Sequence, residues 1–174
     1  MRTPMMDYRG MKALVAVANK QVSQYLWHFL NAAGAAQVHS VETSKDALTS
    51  INSAPCTHYF IGYTMPDLGG PGLARFIRMS HGGVANASIV MLIGDPSPQK
   101  VIDSRDAGVN EIMGLPLSGK ALGERLAHMA VNPKEFIRCD TFIGPCRRRL
   151  HSGPFKGLDR RRVRHSHGNG RKIA

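Results

Sequence analysis

The chain has 174 residues, 43% of them hydrophobic, and a formal charge of +11. That suffices for one ordinary domain with an appendage, and no apolar run approaches the roughly 20 residues of a membrane span. Residues 1–132 carry 11 basic and 9 acidic side chains, whereas residues 133–174 carry 12 and 3, so the body is near neutral and an anionic partner is expected for the tail alone. The stretch Met1 to Lys12 lacks the apolar segment of a signal peptide. Three cysteines, Cys56, Cys139 and Cys146, make no paired framework. Both features lead to the expectation of a cytoplasmic protein.

Residues 1–10 show no periodicity and read as a flexible leader. Ala13 to Val17 is a continuous apolar run, the pattern of a strand buried on both faces. Val22, Tyr25, Leu26, Phe29 and Leu30 recur at helical spacing, and Gly34 is a helix-ending residue. Val38 to Val41 reads as a second strand. Thr43 or Ser44 can cap a helix running to about Ser53, with Ala47, Leu48 and Ile51 inward. Tyr59 to Gly62 is a short buried strand, and Gly69-Gly70-Pro71 leads into a helix with Leu73, Phe76 and Ile77 inward. Ser88 to Ile93 is the most hydrophobic strand and is expected at the centre of the sheet. Pro98 suits a first helical turn, with Val101, Ile102 and Ala107 facing inward and Gly108 ending the helix. Glu111 to Met113 is a last strand, and Ser118 caps a helix with Leu122, Leu126 and Met129 inward. Asn132-Pro133 stops the pattern.

Five β-α units in succession predict an α/β fold: a doubly wound, five-stranded parallel sheet of flavodoxin-like type with right-handed crossovers. The composition turns to Arg, Gly and Pro after Pro133. The predicted organisation is therefore a leader (1–10), a domain (11–132) and a largely irregular basic tail (133–174).

Lys12-Ala13-Leu14-Val15-Ala16, Met65-Pro66-Asp67-Leu68-Gly69-Gly70, Ile89-Val90-Met91-Leu92, Asp106-Ala107-Gly108-Val109-Asn110-Glu111 and Leu115-Pro116-Leu117-Ser118 stand in this order along the chain. This succession resembles the receiver domain of bacterial two-component response regulators, the CheY-like fold, over about residues 11–131. The resemblance implies a phosphorelay signalling site of five side chains. Two acids after the first strand hold Mg²⁺, an aspartate after the third accepts a phosphoryl group, and a hydroxyl after the fourth and a lysine after the fifth contact its oxygens. Carboxylates suit a hard cation, and cation and ammonium offset the charge of the transferring group.

Those positions fall on Val17, Ala18, Gly62, Ile93 and Leu115, and none is ionisable. Shifting the alignment by one residue brings in Ala16, Asn19, Tyr63 or Gly94, again without a carboxylate. The losses agree with one another, because a buried lysine without its acids would cost several kcal/mol. An apolar replacement of a buried ionic cluster is often neutral, or stabilising by roughly 1–4 kcal/mol. The sequence therefore predicts a pseudo-receiver, with no catalytic residues, no Mg²⁺ and no required cofactor. Asp67 and Asp95 remain near the rim, where loop solvation or turn capping explains them. The resemblance also implies docking of a signalling protein through Pro98–Ala107, Glu111–Met113 and Ser118–Val131. Ile112 stands at the family's switch-aromatic position.

The tail holds a repeat of 13 residues: Phe142-Ile143-Gly144-Pro145-Cys146-Arg147-Arg148-Arg149 aligns with Phe155-Lys156-Gly157-Leu158-Asp159-Arg160-Arg161-Arg162. Arginine's planar fork bonds phosphate or a guanine edge bidentately, glycine lets the backbone come close, and phenylalanine can stack on a base. The pattern resembles the arginine-rich tails of CheY-like proteins that bind cyclic di-GMP and act on flagellar or adhesion machinery. The resemblance implies ligand-binding roles for Phe142, Gly144, Arg147, Arg148, Arg149, Phe155, Gly157, Asp159, Arg160, Arg161 and Arg162. Cys146 and Leu158 depart from that pattern, which has Asp and Pro there. The alternative is a pseudo-receiver whose tail binds nucleic acid or an acidic membrane without specificity. A metal site from Cys139, Cys146, His151, His165 and His167 matches no standard zinc spacing. No phosphate loop and no Gly-x-Ser-x-Gly appear, so the expected protein is a non-catalytic adaptor rather than an enzyme.

Overall fold

The computed structural model describes residues 7–139 and 142–146. Strands β1 (Lys12–Ala16), β2 (Gln37–Val41), β3 (His58–Gly62), β4 (Ser88–Ile93) and β5 (Glu111–Gly114) alternate with helices α1 (Lys20–Ala32), α2 (Ser44–Ser53), α3 (Gly69–Met79), α4 (Pro98–Asp106) and α5 (Gly119–Val131). The five strands are parallel in the order β2-β1-β3-β4-β5. The doubly wound sheet expected from the sequence is present. Its centre is β3 rather than β4; β4 lies between β3 and β5, which suffices to bury it on both faces.

The strands read as unbroken apolar runs because each face supplies a separate core. Along β4, Ile89, Met91 and Ile93 join Leu14, Tyr59 and Ile61 against α2 and α3. Val90 and Leu92 point the other way and join Val15 and Phe60 against Leu26, Leu30, Leu122 and Leu126 of α1 and α5. Burying one such side chain is worth roughly 1.5–3 kcal/mol. Polar side chains fix the helix starts: Asn19, Thr43, Ser97 and Ser118 each accept from a main-chain N–H three residues on. Ser44, the other candidate cap of α2, is buried and donates instead to Pro66 O at 2.6 Å.

Helix α4 departs from its sequence pattern. Ile102 is 45% exposed, not inward. The inner stripe of α4 runs through Val101, buried Ser104 and Ala107, at three-residue spacing, and Ile102 lies a hundred degrees off it. The leader also has a fixed point: Tyr8 packs on the α1–α5 core and its carbonyl accepts from Met11 N at 2.9 Å.

The irregular course expected after Pro133 is interrupted by an antiparallel hairpin, β6 (Phe136–Cys139) and β7 (Phe142–Pro145). The two strands pair Phe136 with Pro145 and Cys139 with Phe142, and Cys146 N donates to Glu135 O at 2.6 Å. The hairpin packs on the body, where β7 meets α3.

Candidate functional site

In an open α/β sheet, ligands gather at the carboxyl ends of the strands, where the chain reverses direction between halves. Here that corner is formed by the ends of β1, β3 and β4 and by the chain after β5. Val17 (4% exposed) and Ile93 (1%) are buried there, Gly62 is buried, Leu115 is half-buried and Ala18 is exposed. The parallel register brings Val17 and Gly62 together: a Cβ built on Gly62 would lie 3.6 Å from Val17 Cγ1. Leu115 N donates to Ile93 O at 2.9 Å, which joins the last two positions. The positions that the family resemblance implies thus lie at one corner of the sheet, and every side chain at those positions is apolar or absent.

The loop after β3 is fastened down. Tyr63 N donates to Leu92 O at 2.8 Å, and Gly70 N to Tyr63 O at 2.9 Å. Gly70 is packed so tightly that a Cβ there would come within 2.9 Å of both Met91 Sδ and Tyr63 Cα. Met65 is buried in the α2–α3 core. The Tyr63 hydroxyl donates to Asp103 Oδ2 at 2.9 Å, and Gln99 Nε2 to Asp103 Oδ1 at 2.8 Å. The bonds from Gln99 and then Tyr63 hold the Asp103 carboxyl below its usual range, and the same Tyr63–Asp103 bond raises the phenol.

The two rim acids form no metal-binding group among the described residues. Asp95 is exposed and paired with Lys100 (3.3 Å), whose Nζ also bonds Asp95 O at 2.7 Å. Asp67 is exposed in the left-handed region, φ +69°. Among the described residues no group of three or more His, Cys, Asp or Glu could hold a metal ion. A divalent cation needs oxygen ligands; Val17, Ala18 and Gly62 supply no side-chain oxygen, so the residues present do not fit the family's Mg²⁺. Beside the corner, a cleft of about 390 Å³ lies between the start of α1 and Leu115-Pro116-Leu117, walled by Val22, Tyr25 and uncharged amides.

Solved structures that share this architecture include receiver domains. The chain carries the receiver fold. A protein described as a response regulator from Chloroflexus aurantiacus superposes with a TM-score of 0.65 at 20% identity, covering 71% of this chain and 99% of that one. The Vibrio cholerae chemotaxis protein CheY4 gives 0.62 at 22%, covering 67% and 96%. The signal receiver domain of a histidine kinase from Syntrophus aciditrophicus gives 0.62 at 17%, covering 75% and 99%. No protein-family model matches the sequence, and no curated protein matches it by sequence. No helix among the described residues of this receiver fold is long and apolar enough to cross a membrane.

The face around α4, β5 and α5 presents Ile102, Lys100, Arg105 and an ion pair between Arg125 and Glu111 at 3.6 Å. Ile112 is half-buried against the α2–α3 core. Of the tail residues singled out by the repeat, Phe142 and Gly144 lie in β7; Arg147, Arg148, Arg149, Phe155, Gly157, Asp159, Arg160, Arg161 and Arg162 lie outside the described residues. Gly144 does allow a close approach, but the neighbour is Gly108 of the body: a Cβ on Gly144 would sit 2.7 Å from Gly108 Cα. Cys139 and Cys146 stand toward opposite ends of the hairpin, and His151, His165 and His167 lie outside the described residues.

Sequence reasoning missed Arg78. It is 1% exposed, with Nε donating to Gly108 O (2.8 Å), Nη1 to Ala85 O (2.8 Å) and Ala87 O (2.7 Å), and Nη2 to Asn110 Oδ1 (2.6 Å). The Phe136 ring lies 4.8 Å from its guanidinium carbon. Burial lowers its pKa to about 10. The available signal was faint: an arginine next to the last residue of an otherwise amphipathic helix, and two Phe-Ile pairs six residues apart in the tail.

Proposed function

We propose that this protein is a non-catalytic signalling adaptor of the response-regulator type, which accepts no phosphoryl group by the aspartate mechanism and acts by docking. The observation that carries the reading is the apolar corner: Val17, Gly62, Ile93 and Leu115 stand where the family's chemistry needs an acid, an acceptor, a hydroxyl and an ammonium. Fold alone does not give function, so the argument rests on these positions. Phosphoryl transfer depends on charge aimed at the reacting oxygens, and that charge has no source here. Incubation of the full chain with acetyl phosphate and magnesium should leave no acid-labile phosphate; stoichiometric labelling would overturn the reading.

The signal in this reading enters through the tail. Two copies of Phe-x-Gly followed by an arginine triplet suit a doubled, phosphate-bearing purine, and cyclic di-GMP is the specific candidate. Charge-assisted bonds contribute about 1.5–3 kcal/mol each, enough for micromolar affinity from a few of them. Calorimetric titration should show saturable binding that disappears when both triplets become alanine. The excess of basic over acidic residues in 133–174, 12 against 3, also favours a second reading, nonspecific attachment to nucleic acid. That reading requires affinity falling steeply with salt and no preference for the cyclic dinucleotide.

A further inference from the structure

We propose that the β6–β7 hairpin is a releasable strap seated on the loop between α4 and β5, so that a pull on the chain after Cys146 is felt at the α4–β5 corner. Three contacts form the seat. Phe136 covers the Arg78 guanidinium at 4.8 Å. Gly144 lies against Gly108 with no room for a side chain on either. Lys134, at the entry to β6, donates from Nζ to Asn110 O at 3.4 Å.

All three land on one network. Arg78 holds Gly108 O and Asn110 Oδ1, and that same amide oxygen accepts from Ile89 N at 2.8 Å. Asn110 N in turn donates to Ile89 O at 2.9 Å. Ile89 belongs to β4 and Asn110 directly precedes β5. The strap therefore bears on the group that clips β5 to β4.

Release has a modest cost. A two-stranded hairpin is marginal by itself, and most of this one is only half-buried or exposed. The Arg78 charge is met by carbonyl and amide oxygens and by an aromatic face rather than by an ion pair. Lifting Phe136 returns part of that charge to water, which offsets the lost contact. Seated and lifted forms are thus close enough in energy for a modest pull to shift between them. The coupling is reciprocal: anything that docks on α4 and β5 must also change how firmly the strap sits. The proposal stands apart from the ligand reading, since it rests on contacts made within the chain alone.

The test is amide hydrogen exchange on the full chain, wild type against Gly144→Ala, whose new methyl collides with Gly108. We expect at least about tenfold faster exchange in 136–145 and also in 109–113, with β1–β3 unchanged, as for local opening. Faster exchange confined to the hairpin would make the strap a passive appendage and overturn the proposal; so would no change anywhere. Should Gly144→Ala loosen β1–β3 as well, Phe136→Ala, which removes atoms rather than adding them, is read by the same criteria.

Discussion

At the scale of single residues, Gly62 separates two explanations of an apolar corner: a site filled by larger side chains, or a site merely emptied. A Cβ there would make only ordinary contacts with Val17 at 3.6 and 3.7 Å, so the position is emptied. Gly62→Ala should cost little, within about 0.5 kcal/mol in chemical denaturation. Gly62→Asp should be destabilising by about 1–3 kcal/mol, because the new carboxylate gains neither cation nor lysine, and it should still take up no phosphate from acetyl phosphate. His58 offers a separate test. Burial lowers its pKa from 6.5 to about 4. Between those values the unfolded chain carries a proton that the folded one does not, so stability falls as pH drops from 6.5 towards 4 and levels off below. His58→Gln should flatten that part of the profile of melting temperature against pH.

At the scale of elements, the most informative is the end of α3. Arg78 ties together the 3-10 turn before β4, the loop after α4, and the hairpin, through four hydrogen bonds and one ring. Arg78→Met keeps much of the bulk but strips three main-chain carbonyls of their donors. A loss of about 3 kcal/mol or more is expected by urea unfolding. The element scale also shows what could be read beforehand. The five β-α units were legible because each strand is a run of apolar residues and most helices open on Asn, Ser or Thr. The hairpin was not, since its strands have four residues each and place their apolar residues side by side, Phe136-Ile137 and Phe142-Ile143, without alternation. Nor was the burial of Arg78, which depends on acceptors brought from three separate segments. Ile102 was misplaced because a nine-residue helix offers too few turns to define its inner stripe.

At the scale of the whole molecule, the body and the first part of the tail are mechanically joined. Removing residues 133–174 takes away the aromatic cover of a buried cation as well as the surplus charge. The shortened chain should unfold at a lower midpoint, by roughly 0.5–2 kcal/mol, even at high salt, where repulsion among the tail arginines is screened. A tail that only hung from the body would show the reverse, a shortened chain as stable as the original or more so. The candidate corner became legible only through the family resemblance, whose motifs place Val17, Ala18, Gly62, Ile93 and Leu115 at its positions; the strand order of the receiver fold then brings the ends of those strands together.

The hairpin register has one practical result. The protein's three thiols occupy three different settings: Cys56 buried, Cys146 half-buried after the last strand, Cys139 exposed. Burial raises the Cys56 thiol further from its reactive form. A maleimide dye should therefore mark position 139 first, 146 second and 56 last. The unaltered polypeptide thus carries its two accessible thiols on and beside the hairpin and its shielded one in the body, so fluorescence can test release of the strap without engineered handles.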